Sequence, residues 1–189
     1  MFALSPRGEW IAAALLAVLM AATRIHHFGI GTIAPDASTA VFFLAGLLLG
    51  SPWWLAALLL EAVLLDGVAI GFLNVANACV SSGYALLAPA YGALWFAGRA
   101  LRPSQQLDLV TTGKFVCFTL AGTAAFFAIS NVGYYFGSEY AALGIAEYAA
   151  RVSRYFGLYL AITLAYVGAG LAIYVAARRF ALPGTLAAR

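Results

Sequence analysis

Long apolar runs separated by short polar stretches make up most of this chain. Six runs stand out, at about 9–27, 36–50, 52–72, 78–98, 112–136 and 155–177. A helix needs roughly 20 mostly apolar residues to cross a hydrocarbon core of about 30 Å. Five runs reach that length, and the second is marginal and would borrow residues from its loop. The pattern predicts an all-α membrane protein, with six transmembrane helices forming one domain over residues 1–189.

Residues at the ends of the runs agree with this division. Ser51-Pro52 is a typical helix start, since serine caps the first turn and proline fits within it. Asp36 and Ser38 lie where the second span should begin. The stretch RALRPSQQLD is the clearest polar linker. We expect the first run to be kept as a span, because no small-residue cleavage site follows a short apolar core.

Composition excludes a soluble fold and a nucleic-acid surface. Hydrophobic residues make up 65% of the chain and charged residues only 9%, whereas about 25% charged residues is usual in soluble domains. The net charge of +3 comes from arginines that flank the apolar runs. We therefore expect a multi-pass protein of the bacterial inner membrane, with the lipid bilayer as its surroundings.

The distribution of basic residues predicts the orientation. With both termini in the cytoplasm, seven basic residues lie inside: Arg7, Arg99, Arg102, Lys114, Arg178, Arg179 and Arg189. Only Arg24, Arg151 and Arg154 then lie outside. An excess of cytoplasmic Lys and Arg is the usual arrangement. The more elaborate loops then all lie on the outer face, while the inner connections are short or plainly solvated, and loops often carry function.

The stretch NVANACVSSGY holds one of two cysteines and precedes the fourth span. Cys79 lies at the helix start, where unpaired N–H groups and the helix dipole favour a thiolate. A thiolate binds metals, so Cys79 is a candidate metal ligand. A buried small residue is the alternative. Cys117, inside the fifth span, is expected to pack within the bundle and to lie too far from Cys79 for a disulfide.

Other polar residues are candidates for an outer ligand pocket. Asp66 lies near the outer end of the third span and Glu61 nearer the middle, where ionisable groups are costly and often functional. A protonated, hydrogen-bonded carboxyl is the alternative for Glu61. Only one of His26 and His27 can face a pocket squarely, and we favour His27. The remaining candidates are outer polar or aromatic residues: Asn77, Tyr84, Tyr135, Arg151, Arg154 and Tyr159.

Small residues repeat along the first span. Ala13, Ala17 and Ala21 recur at every fourth position and form a smooth stripe that lets another helix approach closely. The stripe is a candidate docking face for a partner protein, and packing inside the bundle is the alternative.

The chain resembles the substrate-binding S-components of energy-coupling-factor (ECF) vitamin transporters along its whole length, in its six short spans, alanine stripe and outer pocket. NACVSSGY, HHFG and PDAS resemble the BtuM family of small bacterial cobalamin transporters more specifically. In that family a cysteine at this place meets the cobalt. The resemblance implies a solitary S-component, with Cys79 as an axial ligand to the cobalt of cobalamin.

That resemblance implies further properties of this chain. The substrate would be cobalamin, or its precursor cobinamide, and the protein would have no cofactor of its own. The partner would be an ECF module, or none. Imidazole from His27 is a candidate second cobalt ligand. A thiolate on one face of the cobalt should weaken the ligand on the other, so we expect cyanocobalamin to lose cyanide when a reductant is present.

Other functions fit the sequence less well. An S-component for another vitamin, dependent on an ECF ATPase module, would make Cys79 incidental. A haem protein would need ligands from separate helices, which adjacent histidines do not supply. An intramembrane enzyme using Glu61, Asp66 and His27 would lack a nucleophile–base motif, and the chain has no P-loop pattern of its own. We therefore expect a transporter rather than an enzyme.

Overall fold

A computed structural model describes residues 4–24, 35–72, 82–102 and 109–180. These residues form seven α-helices and two short 3-10 helices, with no strand among them. The helices are α1 (Pro6–Arg24), α2 (Ser38–Leu48), α3 (Trp53–Phe72), α4 (Leu87–Ala100), α5 (Leu109–Gly137), α6 (Ile145–Ser153) and α7 (Phe156–Phe180). The 3-10 helices, Ser82–Leu86 and Glu139–Ala142, precede α4 and α6. The expectation of an all-helical fold is confirmed for this part of the chain.

Three helices of the described residues are long and apolar enough to cross a membrane. They are α3 over Trp53–Phe72, α5 over Val110–Gly137 and α7 over Phe156–Arg178. At a rise of 1.5 Å per residue, the 20 residues of α3 span about 30 Å. Large apolar side chains on their outer surfaces, such as Phe72, are exposed. These surfaces are typical of helices that face lipid.

Helix α2 is shorter than the run that predicts it. It has only 11 residues, which corresponds to a length of about 16 Å. All 11 residues are buried, because α1, α3, α4, α5 and α7 all pack against it. The uniformly apolar sequence VFFLAGLL therefore fits a core position, with no polar face to present to solvent.

Charged side chains fix the end of α2 at the α2–α3 turn. The Glu9 Oε1 atom accepts a hydrogen bond from the Gly50 N–H at 2.9 Å. Arg99 donates to the Gly50 carbonyl at 3.1 Å, and Arg102 donates to the Leu49 carbonyl at 2.8 Å. Cations at a helix C-terminus interact favourably with the helix dipole and with its unpaired carbonyls. The turn is thus held by side chains from α1 and by residues at the end of α4.

Helices α2 and α4 approach until their backbones touch. A Cβ atom added at Gly46 would overlap the Trp95 carbonyl, and one added at Gly98 would overlap the Phe43 carbonyl. Close to this contact, the rings of Phe42 and Tyr91 stack with centroids 4.2 Å apart. Small residues allow such close helix packing in membrane proteins.

Two details of the fold differ from the sequence-based expectation. Cys117 is exposed on α5 rather than packed inside, because α5 turns that face away from the bundle. In the described part of the fourth run, the 3-10 helix Ser82–Leu86 precedes α4. Gly83 in this 3-10 helix lies against the backbone of Gly133 on α5.

We expect Gly98→Ala to destabilise the protein by about 1–3 kcal/mol, because the added methyl group has no space between α2 and α4. Gly92→Ala on the same helix is the matched control. A Cβ at Gly92 meets nothing within 4 Å, so that change should be neutral or stabilising by up to about 1 kcal/mol. Thermal unfolding in detergent, followed by circular dichroism, measures both. Equal transition temperatures for the two variants would contradict the close packing.

Candidate functional site

A buried ion pair joins α1 to α3. The Arg24 guanidinium donates from Nε to Asp66 Oδ1 and from its NH2 group to Asp66 Oδ2, both at 2.7 Å. Only 5% of Arg24 and 4% of Asp66 is exposed. This two-point geometry is the strongest arrangement that arginine and a carboxylate can form. It compensates two charges that would be costly to bury separately.

Hydroxyl groups complete the surroundings of the ion pair. The NH1 group of Arg24 donates to Tyr91 Oη at 2.7 Å and to Ser38 Oγ at 3.1 Å. The Tyr84 hydroxyl donates to Asp66 Oδ2 at 2.6 Å. One guanidinium and one carboxylate thereby connect α1, α2, α3, α4 and the 3-10 helix before α4.

A second carboxylate lies beside this network at the start of α2. Asp36 Oδ1 accepts hydrogen bonds from the Ser38 N–H at 2.9 Å and from the Ser38 hydroxyl at 2.6 Å. The hydroxyl of Thr23, one residue before Arg24, accepts from the Ala37 N–H at 3.1 Å. The first turn of α2 is therefore tied to the end of α1 and to the ion pair.

The ion pair forms part of the wall of a cavity of about 440 Å³. Its lining comprises Arg24, Asp36, Thr39, Asp66, Gly83, Tyr84, Leu87, Tyr91, Phe126, Ser130, Asn131, Tyr134, Leu158, Tyr159 and Ile162. Small-molecule sites in proteins typically measure about 300–1,000 Å³ and combine apolar walls with a few polar groups. The volume and lining of this cavity fit that description.

The walls of the cavity differ in chemistry. Arg24, Asp36 and Asp66 bring charge on the side formed by α1, α2 and α3. Helix α7 contributes Leu158, Tyr159 and Ile162, which are apolar or aromatic. Helix α5 contributes three neutral polar residues, Ser130, Asn131 and Tyr134, and the ring of Phe126. A ligand with an apolar surface and polar edges could therefore pack its apolar surface on α7 and form hydrogen bonds with the polar residues of the other walls.

A cluster of tyrosine rings connects the cavity to α6. Tyr134, which lines the cavity, lies 5.7 Å from the ring of Tyr140. Tyr148 on α6 lies 5.0 Å from Tyr135 and 5.8 Å from Tyr140, between ring centroids. Burial raises the pKa of the Tyr148 phenol, and the neighbouring Tyr134 and Tyr140 raise it further. The cluster keeps α6 packed on the end of α5.

Three of the substrate-binding residues suggested by the sequence line the cavity together: Asp66, Tyr84 and Tyr159. Tyr135 instead donates a hydrogen bond to the Leu143 carbonyl at 2.7 Å. Arg151 pairs with Glu147 at 2.6 Å on the exposed face of α6. Arg154 donates to the Tyr155 hydroxyl at 2.9 Å and lies over that ring. These last three residues are not part of the cavity lining.

Other candidates lie elsewhere or outside the described residues. His27, Asn77 and Cys79 fall in the segments 25–34 and 73–81, which are outside that part of the chain. Among the described residues, no three His, Cys, Asp or Glu side chains come together as metal ligands.

The alanine stripe on α1 and Glu61 on α3 are not part of the cavity lining. Ala13 is buried in the core, Ala17 packs against it, and Ala21 is partly buried. Glu61 lies near the middle of α3 and is half-buried.

Sequence reasoning missed several residues of the site. Arg24 was interpreted as one of three outer flanking charges, yet it is the centre of the buried network. Its position was a usable signal, because Arg24 is a charged residue inside the first apolar run and lies three residues before His27. Tyr91 and Asn131 are polar residues inside apolar runs, a pattern that favours inward-facing positions. Ser38 gave no separate signal, because a serine at a helix start is already explained by capping.

The described residues define a helical protein with membrane-compatible helices and a cavity that has both charged and apolar walls. Comparisons with known proteins add nothing narrower, as no family model and no curated protein sequence matches the chain.

We expect Asp66→Asn to destabilise the protein by about 3–5 kcal/mol, because it leaves the Arg24 charge buried without its counter-ion. Glu147→Gln is the matched control, since it removes a carboxylate from an ion pair whose side chains are 56% and 54% exposed. Exposed pairs of this kind contribute about 0.5 kcal/mol or less. Thermal unfolding in detergent without ligand compares the two variants. Similar losses in both would show that the Arg24–Asp66 pair is not the stronger interaction.

Proposed function

We propose that this protein binds cobalamin, or its precursor cobinamide, at the outer face of the bacterial inner membrane and mediates its uptake. The observation that carries the proposal is the cavity, whose charged, neutral polar and aromatic walls suit a ligand with an apolar plane and a polar rim. Cobalamin presents a flat corrin surface surrounded by amides. Carboxylates and phenol oxygens accept hydrogen bonds from amide N–H groups, and ring faces pack on the corrin plane.

The positions of two candidate cobalt ligands along the chain support the proposal. His27 follows Arg24 by three residues, and Cys79 precedes Gly83 by four. A chain extends at most about 3.6 Å per residue, which limits the Cα atoms of these pairs to separations of about 11 Å and 14 Å. Arg24 and Gly83 both line the cavity. A soft thiolate from Cys79 and an imidazole from His27 are suitable axial ligands for cobalt.

The proposal includes a topology and a transport class. The chain crosses the membrane six times as an S-component-like bundle, with both termini in the cytoplasm. It works with an ECF module or alone, and Ala13, Ala17 and Ala21 form the docking face when a module is present. Seven of ten basic residues then lie inside, and the charged cavity faces outward.

The volume of the cavity favours a second candidate, an S-component for a smaller vitamin that depends on an ECF ATPase module. A volume of about 440 Å³ lies in the lower part of the range for small-molecule sites. Cobalamin is larger than a drug-sized ligand, so only one part of it would enter this cavity. In this second function Cys79 is incidental, and replacing it leaves ligand binding intact.

The first test is the visible absorption spectrum of the purified protein with cobalamin, for the wild type and for Cys79→Ala. We expect a spectrum shifted from that of free cobalamin in the wild type and loss of the shift in the variant, because the thiolate changes the axial field of the cobalt. Cys117→Ala is the matched control, since Cys117 is exposed on α5 and should leave the shift unchanged.

Other results of this experiment lead to different conclusions. Bound cobalamin with an unshifted spectrum would keep the transport function and remove the role of Cys79. Failure of the wild type to bind cobalamin would overturn the proposal in favour of the smaller vitamin.

A second prediction concerns the bound cobalt. With a reductant present, we expect the wild type to release cyanide from cyanocobalamin. One electron from the reductant converts cobalt(III) to cobalt(II), and the cyano group leaves as cyanide while the Cys79 thiolate occupies the opposite axial position. In Cys79→Ala, cyanide release should fall to the rate of free cyanocobalamin in the same buffer. Equal rates in wild type and variant would exclude thiolate assistance.

A further inference from the structure

The side chain of Asn131 is held in one orientation at the cavity wall. Its Nδ2 atom donates to the Phe127 carbonyl at 2.8 Å, one turn earlier on α5. Its Oδ1 atom accepts a hydrogen bond from the Tyr148 hydroxyl at 3.0 Å. A side-chain amide has two N–H donors and two oxygen lone pairs. Within the described ranges, one donor and one lone pair therefore remain available on a residue that lines the cavity.

Tyr148 is itself firmly placed. It lies on α6, with only 5% of its surface exposed, and its ring is held between Tyr135 and Tyr140. Its hydroxyl reaches the carboxyl-terminal part of α5, where it is also 3.2 Å from the Asn131 backbone carbonyl. Removal of this hydroxyl leaves the Asn131 amide held by its bond to Phe127 alone, so its terminal torsion, which is broad for an amide, is less restricted.

The wall around Asn131 indicates the chemistry that it recognises. Its cavity-lining neighbours on α5 are Ser130 and Tyr134, which are neutral. The positive charge of the cavity lies on Arg24, whose nitrogen atoms are already bonded to Asp66, Ser38 and Tyr91. A neutral amide with one free donor and one free acceptor is the natural partner of another amide.

We infer that Asn131 recognises an amide group on the rim of the ligand, and that Tyr148 is a positioning residue that keeps the Asn131 amide in the binding orientation. The Asn131 Nδ2–H donates to the ligand carbonyl, and Asn131 Oδ1 accepts from the ligand N–H. The inference rests on the proposed function, in which the amides of the corrin rim supply this group. It makes α6, which lies between α5 and α7 along the chain, part of ligand recognition.

A double-mutant cycle on the full-length protein tests the inference. Cobalamin affinity is measured by equilibrium titration for wild type, Asn131→Ala, Tyr148→Phe and the double variant. We expect Tyr148→Phe to weaken binding about 5-fold, the usual effect of one neutral hydrogen bond, and Asn131→Ala to weaken it more, because that change removes both hydrogen bonds to the ligand. The double variant should be no weaker than Asn131→Ala alone, because Tyr148 acts through Asn131.

Tyr140→Phe is the matched control, since it removes a hydroxyl from the same ring cluster. Within the described residues, the Tyr140 hydroxyl makes no hydrogen bond. The cobalamin affinity of Tyr140→Phe should therefore stay within about twofold of the wild-type affinity. If Tyr148→Phe lowers the affinity by the same factor with and without Asn131, the positioning role of Tyr148 is wrong. If Asn131→Ala binds cobalamin as tightly as the wild type, the contact between Asn131 and the ligand is wrong. A wild type that binds cobalamin but is insensitive to both changes leaves the proposed function standing. If the wild type does not bind cobalamin, both the proposed function and this inference are wrong.

Discussion

Helix α2 is short and buried, and side chains from its surroundings satisfy the backbone groups at both of its ends. A hydrocarbon interior supplies no hydrogen bonds, and each unpaired peptide group there costs several kcal/mol. The fold meets this constraint with charge at both ends. Arg99 and Arg102 donate to the carbonyls after the last turn, while Asp36 and Thr23 accept from the amides around the first turn. These side chains come from α1, from the end of α4 and from the residues just before α2.

The same constraint shapes the cavity. Once Arg24 reaches the start of α2, its charge must be compensated nearby, and Asp66 on α3 provides the counter-ion. The pair then fixes two hydroxyls, Tyr84 and Tyr91, at the cavity wall. A structural solution to a buried charge therefore also creates an ordered polar surface. Because its hydrogen-bond geometry is set before any ligand arrives, binding would require little reorganisation.

Much of the helical arrangement can be predicted from the sequence, because each apolar run carries its own end signals. The charges at Arg24 and Asp66 are visible too, but their pairing depends on which helices are neighbours, and no local pattern states this. Asp66 was predicted as a cavity residue, since a carboxylate inside an apolar run has few alternatives. The burial of Trp95, which is only 2% exposed, is another tertiary effect, since α2 lies against the backbone at that position. Tertiary contacts of this kind are set by glycine pairs distant in sequence, such as Gly46 and Gly98.

The burial of α2 also has a consequence for the permeability of the membrane. The cavity includes Thr39 in the first turn of α2, and every residue from there to Leu48 is buried. Beyond the cavity, an ion would have to leave its hydration shell within a tightly packed interior, at a cost comparable to that of crossing lipid. In the proposed uptake function, this packed layer would let the cavity open to one side of the membrane without a leak of protons. A large solute would then cross by movement of whole helices, since a fixed channel would dissipate the ion gradients of the cell.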